Sequence, residues 1–265
     1  MSKNSSINVP IEARSIFRVL AIRKVVENSD LVQELCRQFD DILNGIPVSE
    51  RILKGSKGRK DFLNYKEKHE GCPYDKDKVE SMPETHMCKS PKVFFRHFKV
   101  KDKKGDDKFD IEFIDYQVPL NSSRDKGEGV IDLLGINESE IYVVEVKKWE
   151  SAEHPLRAMF EAITFWKMIV GDDNCSGFIK CYNKARNINC KLPKGAIAYP
   201  AILVREGSEI YESMIKTDLD QHYKELYKNI LEKCHLKCLS YTKNGDKIEI
   251  HDFTEKFEKK LDSQK

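Results

Sequence analysis

At 265 residues the chain is long enough for one large domain or two small ones, and a chain of this size buries roughly 70–75% of its extended surface. A composition of 34% charged and 40% hydrophobic residues, with nine prolines and thirteen glycines, excludes a disordered or fibrous protein. A net charge of +2 neither demands nor forbids nucleic acid, because carboxylates in one place can cancel a basic groove elsewhere. No run of about 18 apolar residues occurs, so no membrane span is expected. The polar start, Met1-Ser2-Lys3-Asn4, lacks the apolar segment of a secretory signal. With eight cysteines scattered along the chain, this favours a reduced, cytoplasmic protein.

In chain order, the first fifty residues predict two helices. The first follows Pro10 with Ile16, Val19, Leu20, Ile22, Val25 and Val26 on one face. The second follows a capping-box-like Asp30 and Gln33 with Leu31, Leu35, Phe39, Ile42 and Leu43, and ends at Gly45. Residues 46–92 carry prolines at 73, 83 and 91 and no sustained period, the pattern of an insertion, a long ordered loop or a lid. The period then becomes that of strands: Val93 to Val100 and Phe109 to Val118 form one predicted hairpin, and Gly129 to Ile136 with Ile141 to Lys147 form another about Asn137-Glu138-Ser139. The second pair is apolar on both faces, as in central strands covered by helices. A helix from Pro155 to Val170, a strand from Ala196 to Val204, helical sequence over 207–233, a hairpin at Leu239–Tyr241 and Ile248–Phe253, and a charged terminal helix complete the pattern. The expected architecture is α/β (α+β), a central mixed sheet of about four to five strands flanked by helices. Residues 1–92 are expected to form a helical region packed on a core of 93–265.

Four stretches read as an acidic residue, any residue, then lysine. Asp102-Lys103-Lys104 and Asp106-Asp107-Lys108 fall in one polar turn, and Glu258-Lys259-Lys260 falls in the charged tail. Glu145-Val146-Lys147 alone ends an apolar strand, Ile141-Tyr142-Val143-Val144. A charge buried there costs several kcal/mol unless an opposite charge or a metal meets it. Residues two apart share a strand face, so Glu145 and Lys147 point the same way. Asp132, on the preceding strand, joins them when the turn holds an even number of residues, as with a two-residue loop at Glu138-Ser139. An odd loop would turn Asp132 to the other face. Two converging carboxylates with the Val146 carbonyl suit magnesium or manganese and leave positions for water and a phosphate. Lys147 would then position or help deprotonate the attacking water and stabilise charge on the phosphorus oxygens.

The run Gly129-Val130-Ile131-Asp132, the run Tyr142-Val143-Val144-Glu145-Val146-Lys147, and the following helix with Arg157, Glu161 and Phe165 resemble the PD-(D/E)xK nuclease superfamily. The resemblance covers Gly129 to about Val170. Ile131 stands where the motif's proline would be, and Glu161 with Phe165 stands where members commonly carry a glutamine and an aromatic. The resemblance implies a restriction-endonuclease-like fold and a Mg2+- or Mn2+-dependent nuclease acting on DNA or RNA, with DNA favoured. Asp132, Glu145 and the Val146 carbonyl would hold the metal and Lys147 would be the catalytic amine. It also implies a glutamate on a helix before the sheet, for which Glu34 is a candidate beside Glu27, Glu67 and Glu70. An inactive module of the same fold that binds nucleic acid or a protein is the alternative, and a homodimer fits an enzyme that cuts both strands.

Around the site, Arg157, Lys148, Glu161 and Arg96 are candidates to face nucleic acid, with Arg157 foremost because its helix begins near the end of Lys147's strand. Cys72, His86 and Cys88, and Cys234-His235 with Cys238, carry zinc-ligand types without paired Cys-x2-Cys spacing. Neither a nucleophile elbow nor a phosphate-binding glycine loop occurs.

Overall fold

The structure, a computed structural model, describes residues 29–46, 96–102, 104–120, 130–147, 153–170, 175–185, 192–216, 218–244 and 247–263. Among them the helices are α1 (Ser29–Arg37), α2 (Phe39–Gly45), α3 (Pro155–Val170), α4 (Ser176–Ala185), α5 (Glu209–Ile215), α6 (Gln221–Cys234) and α7 (Thr254–Ser263). The strands are β1 (Arg96–Lys101), β2 (Asp107–Pro119), β3 (Val130–Asn137), β4 (Glu140–Lys147), β5 (Ile197–Arg205), β6 (Lys237–Asn244) and β7 (Lys247–Asp252). The expected helix before Asn28 and all of 47–92 lie outside the described residues.

β1 to β4 run as an antiparallel meander, β5 and β6 continue parallel to β4, and β7 returns antiparallel to β6. β7 then pairs parallel to β1 through Val100↔Ile250 and Lys101↔His251, which closes the seven described strands into a barrel. This corrects the expectation of an open mixed sheet of four to five strands with a restriction-endonuclease-like fold. The physical reason is that a strand apolar on both faces looks the same whether its second face meets a helix or the inside of a barrel. Here Tyr142, Val144 and Val146 of β4 point into the barrel with Val100, Ile111, Phe113, Leu133, Leu203 and Ile250. The alternate residues Ile141 and Val143 point outward into a second core beneath the helices, with Phe160, Ile163, Phe178 and Leu226.

α3 follows β4 and packs on β4 and β5 as the crossover between these two parallel strands. Leu156, Met159, Phe160 and Ile163 give it a buried stripe, and the Trp166 Nε1–H donates to the Ala198 carbonyl of β5 at 2.8 Å. His154 caps it: its Nδ1 accepts the Leu156 N–H at 3.2 Å, and Pro155 takes the first helical position, where no N–H is needed. α4, absent from the sequence reading, is anchored to β2 by the buried Tyr182 hydroxyl donating to Asp115 Oδ2 at 2.9 Å. The helical stretch 207–233 is broken in two, because Asp220 caps a new helix by accepting the His222 N–H at 2.9 Å. α1 packs on α6, and Lys233 of α6 reaches Asp40 of α2 at 2.6 Å.

One position inside the barrel admits no side chain without movement. Gly135 lies between Phe113 and Tyr142 on the neighbouring strands, and a Cβ there would stand 2.8 Å from Ile111 Cδ1 and 3.3 Å from Phe113 Cδ1. Gly135→Val is expected to destabilise the protein by about 1–3 kcal/mol, the usual cost of overpacking. Adding Ile111→Val, which removes the nearest atom, should recover part of the loss. Urea unfolding of the two single variants and the double variant measures the coupling; strict additivity would show that the barrel does not press on this position.

Candidate functional site

The register that decides the site is set at the β3–β4 turn. Glu138 and Ser139 form a two-residue loop, Glu138 with φ 29°, and pairing runs from Asn137↔Glu140 to Leu133↔Val144. One further step sets Asp132 opposite Glu145, on the outer, helix-covered face that Leu134 and Val143 share. At that step the Val146 N–H donates to Asp132 Oδ2 at 3.0 Å. A carboxylate thus takes the place of the ladder's next backbone acceptor, while β3 stays paired with β2 through Val118↔Ile131. In an extended strand the N–H and C=O of a residue point to the same flank, so the Val146 carbonyl is turned to the Asp132 side.

Lys147 lies among three carboxylates: Nζ is 2.9 Å from Glu145 Oε1, 2.8 Å from Glu153 Oε2 and 2.6 Å from Glu161 Oε2. Its side chain is only 10% exposed, so an ammonium there requires such partners. Arg157 spans the two helix-side carboxylates, with Nη1 3.2 Å from Glu153 Oε1 and Nε 3.1 Å from Glu161 Oε1. The spacing Glu153, Arg157, Glu161 is i, i+4, i+8, which aligns the three on one face at the start of α3.

The electrostatics divide the carboxylates. Burial pushes Glu145 well above the ordinary range, and the neighbouring Asp132 adds to it, against the pull of Lys147. Burial also raises Asp132, opposed by the Val146 N–H and Lys147. Burial and the Asp132 charge together favour the protonated form of Glu145, whose side chain hydrogen-bonds to both Asp132 and Glu161. Glu161 goes the other way: burial would raise it, but Lys147 and hydrogen bonds from Glu145 and Arg157 hold it below the usual value. For Lys147, burial would lower the amine, yet Glu145 and Glu161 outweigh it and keep it protonated.

The structure therefore brings Asp132, Glu145, Lys147, Arg157 and Glu161 together. It does not bring Glu34, whose carboxylate is held by Arg37 and Gln38 of its own helix. Arg96 opens β1, and Lys148 lies outside the described residues. Glu153 was missed, although its four-residue spacing to Arg157 was the available signal. Of the look-alike triplets, Asp102 closes its own turn by accepting the Lys104 and Asp106 N–H groups at 2.8 and 2.9 Å. Lys108 is paired with Asp252 at 2.9 Å. Cys234 and Cys238 are buried thiols, Cys234 pushed up to about 12 by burial, while His235 is exposed in a left-handed cap; these do not make a zinc site. Cys72, His86 and Cys88 lie outside the described residues.

A divalent metal was tested against the donor set. Among the described residues no group of three His, Cys, Asp or Glu side chains is arranged to hold an ion. Asp132 and Glu145 supply two hard oxygen donors on adjacent strands, and a cation that retains several waters is commonly held by one or two carboxylates. The pair fits magnesium on those terms. Among the described residues no helix is long and apolar enough to cross a membrane. Compared with protein-family models, curated proteins and solved structures, the chain matches none.

Two pH dependences follow. Glu145 binds its proton more tightly folded than unfolded, so its burden on stability is absent well below its unfolded value of 4.5 and grows as pH rises toward the folded value. Glu145→Gln should therefore unfold at a higher temperature than the parent near neutral pH and lose that advantage near pH 4, with each kcal/mol worth roughly 2–4 °C. An advantage of the variant over the parent that is equal at pH 7 and pH 4 would refute the raised proton affinity of Glu145. His154 has the opposite sign: burial depresses it from 6.5 to about 4, so its contribution is complete above the unfolded value and is lost as pH falls through that window. His154→Asn, which keeps a capping oxygen, should flatten the stability profile between pH 6.5 and 4 by on the order of 3 kcal/mol, read by denaturant titration at each pH.

Proposed function

We propose that the protein is a metal-dependent nuclease that hydrolyses phosphodiester bonds, with DNA the favoured substrate and RNA the alternative. The observation that carries the reading is the pair of buried carboxylates Asp132 and Glu145, opposite each other on adjacent strands, with Lys147 2.9 Å from Glu145. The likeness of these residues to the PD-(D/E)xK motif supports it at the level of the motif alone. Asp132 and Glu145 would hold Mg2+ or Mn2+, with the Val146 carbonyl as a third donor on the same flank. Bound there, the metal would neutralise the phosphate and acidify a water for in-line attack.

The chain's own residues define the other roles. Lys147 is kept as an ammonium by Glu145 and Glu161, so it serves as a cation that orients water and stabilises charge on the phosphorus oxygens rather than as a base. Arg157 is committed to Glu153 and Glu161, which turns it from a phosphate contact into part of the cage around Lys147. That self-contained pairing is also what a non-catalytic module would show, and the same experiment separates the two.

Purified protein should cleave supercoiled plasmid DNA, linear duplex DNA or single-stranded RNA in Mg2+ or Mn2+ and lose the activity in EDTA. Asp132→Ala and Lys147→Ala, with folding checked by circular dichroism, should each lower the rate by at least about 100-fold. A folded Lys147→Ala variant that cuts as fast as the parent overturns the mechanism. Absence of cleavage of all three substrates, with binding unchanged in chelator, selects the binding module.

A further inference from the structure

We propose that Glu161 is the positioning residue of Lys147: its carboxylate fixes the lysine ammonium between the end of β4 and the first turns of α3, and Arg157 fixes Glu161 in turn. The inference rests on the reading of Lys147 as the catalytic amine. Three carboxylate oxygens lie within 2.9 Å of Nζ, and the contact with Glu161 Oε2 is the one with hydrogen-bond geometry. The three acceptors are not equivalent. Glu145 is a proposed metal ligand, whose oxygens a bound cation would draw away. Glu153 precedes α3, outside regular structure, and is 31% exposed. Glu161 stands within the helix, is 15% exposed, and makes the shortest of the three contacts, 2.6 Å.

The two oxygens of Glu161 have separate partners. Oε2 receives Lys147, and Oε1 receives the Arg157 Nε–H at 3.1 Å. Each oxygen already faces a cation, which sets Glu161 apart from Asp132, whose Oδ2 faces a backbone N–H. The side chain is therefore suited to holding an amine rather than a metal. Lysine carries its charge on a flexible four-carbon stem, and an acceptor on a rigid element is what selects one rotamer. α3 is rigid here because its opposite face is buried and Trp166 bonds it to β5. When Glu145 turns to a cation, the Glu161 contact is the one that keeps Lys147 at the reacting phosphate.

The test combines kinetics, metal affinity and structure on the full chain. In Glu161→Ala, kcat for Mg2+-dependent cleavage of supercoiled plasmid should fall roughly 100-fold, the scale for a misplaced catalytic group. KM for plasmid and Mn2+ affinity, read by electron paramagnetic resonance, should stay within about threefold, since Glu161 touches the proposed ligand Glu145 but is not itself a ligand in this reading. Glu161→Gln keeps an acceptor oxygen and should recover most of the lost rate. A crystal structure of Glu161→Ala should show Lys147 Nζ moved from its place. Unchanged kcat, or Mn2+ affinity that falls with kcat, or Lys147 unmoved in the crystal, overturns the proposal. If the parent cuts no nucleic acid while Lys147 moves in the variant, the nuclease reading fails and the positioning stands. Should Glu161→Ala not fold, Arg157→Gln releases Glu161 from its far side and should give a smaller loss of kcat at constant Mn2+ affinity.

Discussion

Both faces of β4 are buried, so the charges at its end persist only if neighbouring elements neutralise them. That constraint organises this side of the molecule. Val144 and Val146 face the apolar cluster inside the barrel, and the charged residues at this end of β4 are on the outer parity, Glu145 and Lys147. Outside, the compensating groups must come from the hairpin partner and from the crossover helix that the parallel strand β5 makes necessary. Asp132 comes from the first, and Glu161 and Arg157 from the second; Glu153 comes from the segment leading into that helix. The helix could not be shifted by a residue without exposing its apolar stripe and unpairing Lys147 together.

The parts of the site that were legible in the sequence are those fixed by short-range geometry. Period two put Glu145 and Lys147 on one face. The loop at Glu138-Ser139 has an even count, so Asp132 falls opposite Glu145, and the condition on which the constellation depended is met. Pro155 to Val170 is helical throughout, because its apolar spacing and leading proline agree with each other. In such places local preference and tertiary packing ask for the same structure.

What was not legible depends on contacts distant in sequence. Closure of the barrel rests on two residue pairs between β1 and β7, Val100↔Ile250 and Lys101↔His251, and nothing local in either strand announces them. α4 has a mixed composition, SGFIKCYNKA, with a glycine and an asparagine, so its helical state comes from burying Phe178, Ile179 and Tyr182 and from the bond of Tyr182 to Asp115. The cage around Lys147 was half visible: Glu161 and Arg157 were singled out as surfaces for nucleic acid, whereas they face each other and the lysine. Sequence identifies charged residues on a helix face; only the docking of α3 decides whether that face meets solvent or a strand.

The charges of the cluster do not cancel. Asp132, Glu145, Glu153 and Glu161 are four carboxylates around two cations, Lys147 and Arg157, which leaves two negative charges when all are ionised. Burial raises both Asp132 and Glu145, and their mutual repulsion raises Glu145 further, so ionising them carries a cost in stability that grows with pH. A fold selected for stability alone would gain from an amide at Glu145, since replacing an uncompensated buried charge by a neutral isostere removes the repulsion and part of the desolvation penalty. Two acids are nevertheless kept there, where the β3–β4 ladder opens and a backbone carbonyl turns toward them, and on the proposed nuclease reading one divalent cation would balance the excess of two negative charges.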